Sequence, residues 1–99
     1  MAVSRTTSTN NGFDGFGTYS QGAGTTFLAV ADSAALGNGS GLTASGSGAT
    51  AIVTHSTLAG SSGFDVGQYS SAVLRTSGNN TLTGTGSNTF GSFSGNPLF

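Results

Sequence analysis

Ala49-Thr50-Ala51-Ile52-Val53-Thr54 is the stretch on which the reading of this chain turns. It places β-branched residues in a six-residue run between glycine- and serine-rich punctuation, which is the signature of a short strand. Ser71-Ala72-Val73-Leu74-Arg75-Thr76 and Asn80-Thr81-Leu82-Thr83 read the same way. Around them, clusters at Gly37–Gly41, Ser45–Gly48, Gly60–Gly63 and Ser77–Asn80 read as turns. Phe27 to Leu36 is mixed: it is mostly apolar, broken by Asp32-Ser33, and followed by Gly37. A short helix with a glycine cap therefore competes there with a buried strand. Strands this short, with turns this frequent, suit a sandwich, a solenoid or a stacked serpentine. The fold expected is all-β, with short strands and Gly/Ser/Asn turns stacked as a β-solenoid or cross-β-like serpentine in a polymer.

Composition narrows the classes of function. The 99 residues include 18 Gly, 16 Ser, 15 Thr, 11 Ala and 7 Asn, with no Cys, Trp, Lys or Glu. Arg5, Asp14, Asp32, Asp65 and Arg75 are the charged residues, for a formal net charge of −1. A typical soluble domain is about one quarter charged, so an ordinary cytosolic enzyme is a poor fit. Two arginines cannot neutralise a run of phosphates, and nucleic-acid binding has no electrostatic basis. The longest large-apolar runs fall far short of the ~20 residues of a membrane helix. Without cysteine there is no disulfide framework and no zinc–cysteine site, though the redox compartment stays open. The opening Met1-Ala2-Val3-Ser4-Arg5 lacks the apolar core of a signal peptide. The sequence is therefore expected to be mature, exported without such a leader, or not exported.

Two segments recur. Gly12-Phe13-Asp14-Gly15-Phe16-Gly17-Thr18-Tyr19-Ser20 returns as Gly63-Phe64-Asp65-Val66-Gly67-Gln68-Tyr69-Ser70, one residue shorter. The block from Gly37 to Ser47 matches that from Gly78 to Ser87, again one shorter. Two imperfect internal repeats are expected: a flexible polar N-terminus over 1–11, a first half over 12–58, a connector at 59–62 and a second half over 63–99. Equivalent halves would bury Phe13 like Phe64 and pair Tyr19 with Tyr69 and Leu42 with Leu82.

Leu82-Thr83-Gly84-Thr85-Gly86-Ser87-Asn88-Thr89-Phe90 resembles the short repeat of β-helical autotransporter passengers, although Gly84 replaces an inward leucine. That resemblance covers nine residues and implies one rung of an extracellular parallel β-helix. In composition and in its Tyr19-Ser20-Gln21 and Gln68-Tyr69 steps the chain is also similar in type to curlin-like functional amyloid subunits, without their regular Gln/Asn spacing. It implies an extracellular β-fibre.

Chemistry-bearing residues are sparse. His55 is the single histidine, and no serine sits in a Gly-x-Ser-x-Gly elbow. Asp14 and Asp65 occupy matching repeat positions. They could share a hard cation, but a turn aspartate bonding nearby backbone N–H groups is the plainer reading. Gly37-x-Gly39-x-Gly41 has no lysine to complete a phosphate loop. Asn38-Gly39-Ser40 and Asn79-Asn80-Thr81 are glycosylation sequons, in the number chance gives at this composition. No catalytic, cofactor or metal residue is assigned, and no cofactor is expected.

The 7 Leu, 5 Val, 7 Phe and single Ile make a small core for an isolated chain, and 18 glycines raise the entropy lost on ordering. The expectation is a non-enzymatic, self-assembling subunit of an extracellular filament or biofilm fibre, found outside the cell or on its surface. Its partner is itself, with no nucleic acid, membrane insertion or obligatory small molecule. The assembly core is expected at Phe13, Tyr19, Phe27, Leu42, Ile52, Val53, Phe64, Tyr69, Leu74, Leu82 and Phe90. A virion decoration or fibre protein, and a secreted carbohydrate-binding β-domain, are the alternatives. Because so few charges are available, assembly should respond little to moderate salt, which screens only ionic contacts. Pelleting filaments across a salt series checks this, and their dissolution by moderate salt would contradict it.

Overall fold

A computed structural model describes residues 1–21, 23–76, 79–83, 89–90 and 94–95. The chain winds as a parallel β-solenoid with three sheets. Its first turn is made of β1 (Ala2–Ser4), β2 (Thr7–Thr9) and β3 (Asp14–Tyr19). The second is β4 (Thr26–Ala31), β5 (Ala34–Leu36) and β6 (Ser40–Ser45); the third is β7 (Ala49–Thr54), β8 (Thr57–Ala59) and β9 (Val66–Tyr69). Strands β10 (Val73–Thr76), β11 (Thr81–Thr83) and β12 (Thr89–Phe90) extend each sheet again, and β13 (Ser94–Gly95) adds a fifth strand to one of them. Sheet A runs β1-β4-β7-β10-β13, sheet B runs β2-β5-β8-β11, and sheet C runs β3-β6-β9-β12. The described residues include no helix. Phe27 to Leu36 resolves into two strands, β4 and β5, with a corner at Asp32.

Every strand pairs in parallel with its equivalent one turn away. Val3, Val30, Val53 and Thr76 stack in sheet A, so the repeat measures 27, then 23, then 23 residues. Because side chains alternate along a strand, one face of each strand fills the interior. Leu28, Val30, Ala51, Val53 and Leu74 point inward from sheet A and are buried. The columns from the other two sheets change size in opposite directions. Sheet B carries Ser8, Ala35, Leu58 and Leu82 in register, while sheet C carries Phe16, Leu42 and Val66. Growth of one column therefore partly offsets shrinkage of the other. Close packing of this kind leaves no room for independent changes of size.

Sharp corners divide the strands. Between sheets A and B, Arg5, Asp32 and His55 take left-handed backbone conformations at equivalent positions, with φ of 48°, 50° and 47°. Between sheets B and C, Asn10, Gly37 and Gly60 do the same, with φ of 57°, 68° and 68°. Asn, Asp and His are the non-glycine residues that tolerate this region best, so His55 is explained as a corner residue. Backbone bonds continue through these corners, from Arg5 N–H to Ala31 O (3.3 Å), Asn10 N–H to Leu36 O (3.1 Å) and Gly37 N–H to Ala59 O (3.0 Å). The third corner, from sheet C back to sheet A, is less uniform: six residues separate β3 from β4, but three separate β6 from β7 and β9 from β10.

These positions can be set beside the expected equivalences and segments. Leu42 lies in sheet C and Leu82 in sheet B, so they are not equivalent. Phe13 is 86% exposed, whereas Phe64 is half-buried. It precedes β3 at the second corner of the first turn, where no strand alternation directs it inward. Tyr19 and Tyr69 do align, both over Ser45, because the 50-residue spacing spans two turns. The segment 1–11 carries β1 and β2, and 59–62 runs from the end of β8 into the second corner of the third turn. Strand pairing draws on backbone groups, so a polar stretch without large apolar side chains can still form an edge.

Gly60 supplies a test of the stacked corner. An added Cβ there would sit 3.4 Å from the Gly37 nitrogen, an ordinary contact, so the penalty of substitution is conformational. Gly60→Ala is expected to cost about 1–2 kcal/mol of unfolding free energy, and Gly60→Asn distinctly less. Chemical denaturation of the two variants measures the difference.

Candidate assembly interface

Two polar ladders line the corners. At the first, Ser33 and Ser56 are buried, and each hydroxyl donates to the carbonyl two residues back: Ser33 to Ala31 O (2.8 Å), Ser56 to Thr54 O (2.9 Å). Thr6 repeats the bond, to Ser4 O, at 2.9 Å. Ser33, Ser56 and Asn80 then each accept from the turn before. Thr6 N–H donates to Ser33 Oγ (3.2 Å), Ser33 N–H to Ser56 Oγ (3.2 Å), and Ser56 N–H to Asn80 Oδ1 (2.9 Å). Asn80 closes the series, its amide donating to Val53 O and Thr76 Oγ1. At the second corner, Asn11 donates to Asn38 Oδ1 from both its backbone and its side chain, each at 2.9 Å, and Asn38 donates to Ser8 O. Buried polar groups are tolerated because they satisfy one another. Burial of Asn38 also removes one of the two sequons from the surface, while Asn79 is exposed.

The first turn leaves all three sheets open. Strands β1, β2 and β3 each stand at the end of their sheet. Met1 C=O, Arg5 N–H, Thr6 C=O and Asn10 N–H bond to the second turn. In a parallel pair successive residues face opposite sides, so the backbone groups of Ala2, Ser4, Thr7 and Thr9 face outward along the edge. No Lys or Pro stands in β1, β2 or β3, although such residues commonly blunt an exposed edge.

The residues expected to form an assembly core separate by face. Leu42, Val53 and Leu74 are fully buried, and Leu82 is partly buried against the core. Ile52, Phe64 and Tyr69 are half-buried. Tyr19 and Phe27 are about half exposed, at 54% and 51%. Phe27 must point outward because Leu28, its neighbour along the strand, points in. Phe90 lies in β12, with its side chain outside the described residues, as are 84–88 of the Leu82–Phe90 motif. Sequence reasoning missed Leu28, Val30, Leu58 and Val66, which the period-two alternation identifies, and the corner residues Ser33, Ser56 and Asn38, each directly after a left-handed residue, with Asn80 at the end of the Ser77–Asn80 turn signal.

On the outer face of sheet C the tyrosines lie over glycines. A Cβ on Gly17 would come within 2.9 Å of the Tyr19 ring, and one on Gly67 within 2.7 Å of the Tyr69 ring. The recurring Gly-x-Tyr therefore records an aromatic folded back over its own strand. The two aspartates of the recurring segment fall one place apart in the stack and behave differently. Asp14 accepts from the hydroxyls of Tyr19 and Thr43, the latter at 2.8 Å, rather than from backbone N–H groups. Asp65 is fully buried, and among the described residues neither carboxylate oxygen meets a hydrogen-bond partner. Directly before the stacked Phe16, Leu42 and Val66 stand Gly15, Gly41 and Asp65, so the aspartate fills a place that glycine holds in the earlier turns. A Cβ on Gly41 would run into the Asp65 carbonyl, which accounts for glycine there.

Among the described residues, no three His, Cys, Asp or Glu side chains come together to hold a metal, and no helix is long and apolar enough to cross a membrane. Comparison with family models, curated proteins and solved structures finds no match.

Asp65 is the interior group whose replacement should help. Burying a polar group without a partner costs about 1–3 kcal/mol by mutational measures. Asp65→Ala is therefore expected to raise the unfolding free energy by about that amount, read by denaturant melts at neutral pH.

Proposed function

We propose that this protein is a structural subunit that assembles with copies of itself into an extracellular filament or matrix fibre. One observation carries the reading: three parallel sheets end together at the first turn in strand edges that bear no lysine or proline. An exposed strand edge is a template for another strand, and three in one coil offer a continuous seam. The near-absence of charge supports the same reading, since few like-charge contacts oppose close approach of copies. The activity of such a subunit is the assembly itself. Backbone pairing supplies affinity, and interior columns headed by Val3, Ser8 and Phe16 would continue across the joint.

Purified chain should form β-rich filaments without added cofactor. Electron microscopy over time, with fibre diffraction, tests this. Strands perpendicular to the fibre axis, with a meridional spacing of about 4.7–4.9 Å, are the expected result. A monodisperse species at high concentration, melting in one cooperative step and leaving no filaments, would refute it.

A further inference from the structure

We infer that Asn11 is a site of spontaneous deamidation, a modification that needs only water, and that the fold protects Asn38 from the same reaction. This stands independently of the assembly reading above.

Two of the asparagines, Asn11 and Asn38, precede a glycine. Deamidation begins when the backbone nitrogen of the following residue attacks the asparagine side-chain carbon, and glycine, having no Cβ, obstructs that approach least. Asn10, Asn79, Asn80 and Asn88 precede residues that carry a Cβ. Asn96 precedes Pro97, which has no N–H to lose. By sequence, Asn11 and Asn38 are equal candidates.

The coil separates them. Both stand at the second corner, in successive turns, but in opposite states. Asn38 is buried; its Oδ1 accepts twice from Asn11, and its amide donates to Ser8 O. The Gly39 N–H that would attack it is committed to Asn11 O at 3.1 Å. Asn11 and Gly12 are both exposed. The Gly12 N–H meets no acceptor among the described residues, and nothing lies within 4 Å of the place its Cβ would take. The Asn11 amide donates to Ser8 Oγ (3.0 Å) and Asn38 Oδ1 (2.9 Å), but the attacking nitrogen is free.

In the reaction a bond forms between the Gly12 nitrogen and Asn11 Cγ, and the bond from Cγ to Nδ2 breaks. Ammonia leaves with the proton that Gly12 gives up, and a five-membered succinimide remains. Water then adds across one of the two ring C–N bonds, hydroxyl to carbon and proton to nitrogen. One opening leaves aspartate at position 11, the other isoaspartate, which adds a carbon to the backbone between β2 and β3. Either product replaces the amide that donates to Ser8 Oγ and Asn38 Oδ1 with a carboxylate that only accepts. The corner bond across the first two turns is thereby weakened.

The test incubates freshly purified protein at mildly alkaline pH and maps conversion at each asparagine by fragmentation mass spectrometry. In the folded chain, the initial rate at Asn38 should lie about a hundred-fold below that at Asn11, the weight of the four hydrogen bonds that must open first. In denaturant the two rates should converge. Gly12→Ala fits the open space at that position and should keep a wild-type melt while slowing Asn11 several-fold. Equal rates at the two sites in the folded protein would overturn the inference. So would conversion at neither site under conditions where the denatured chain converts at both, or a folded Gly12→Ala variant that converts as fast as wild type. If that variant does not fold, the comparison of the two sites in the wild type decides.

Discussion

Parallel pairing of each turn on the next governs this molecule. The hydrogen bonds run along the coil axis, so a residue's partner is the residue at the same place one turn away. A change of direction in one turn must then be repeated in its neighbours, or the pairing on both sides of it fails. That is why Arg5, Asp32 and His55 share one backbone conformation despite sharing no chemistry, and why Asn10, Gly37 and Gly60 share another. Side-chain type is free at these places only within what a left-handed corner tolerates.

The same constraint explains an interior built from small residues. Stacked strands set the distance between sheets for the whole coil, so a large side chain in one sheet needs a small one opposite. Ser8 accompanies Phe16, and Ala35 accompanies Leu42; in the third turn, where Leu58 faces Val66, sheet A carries Ala51 in place of Leu28. Polar groups enter the interior at the corners, where backbone N–H groups turn inward and need acceptors. Serine and asparagine serve there because a short oxygen can reach one turn while bonding the other. The polarity of the coil is thus a property of its hydrogen bonds as well as of its chain direction.

Much of this was open to the sequence, and the rest was hidden for definite reasons. Ala49–Thr54 read correctly as a strand because its β-branched residues and flanking glycines agree. Phe27–Leu36 stayed mixed because its break is only two residues, Asp32-Ser33, and the left-handed backbone of Asp32 leaves no mark in hydropathy. Tyr-Ser recurs at a 50-residue spacing that covers two turns, since the intervening turn carries Thr43 and Ser45 where its neighbours carry glycine and tyrosine, whereas Gly-Phe-Asp recurs at 51 residues and falls one place out of register. Phe13 and Phe27 stand exposed on the coil although both are large and apolar. Alternation, rather than size, decides which way a strand residue points, and a corner residue obeys neither. The corner ladders were illegible because serine is abundant everywhere in this chain, and only the fold distinguishes the few that are buried.

Unequal corners give the coil a tolerance of its own. The first corner holds two residues between strands in each of the three complete turns, but the third corner ranges from three to six. Its longest example, over residues 20–25, includes Gln21, Ala23, Gly24 and Thr25 at the surface. Length gained there is absorbed outside the stacked strands, so register on either side survives. Each turn therefore carries one position where unrelated sequence can be spliced in, and in a fibre those positions would recur along one side. A coil of this kind is suited to serve as a scaffold for display, holding grafted peptides in a row at intervals fixed by the rise of its strands.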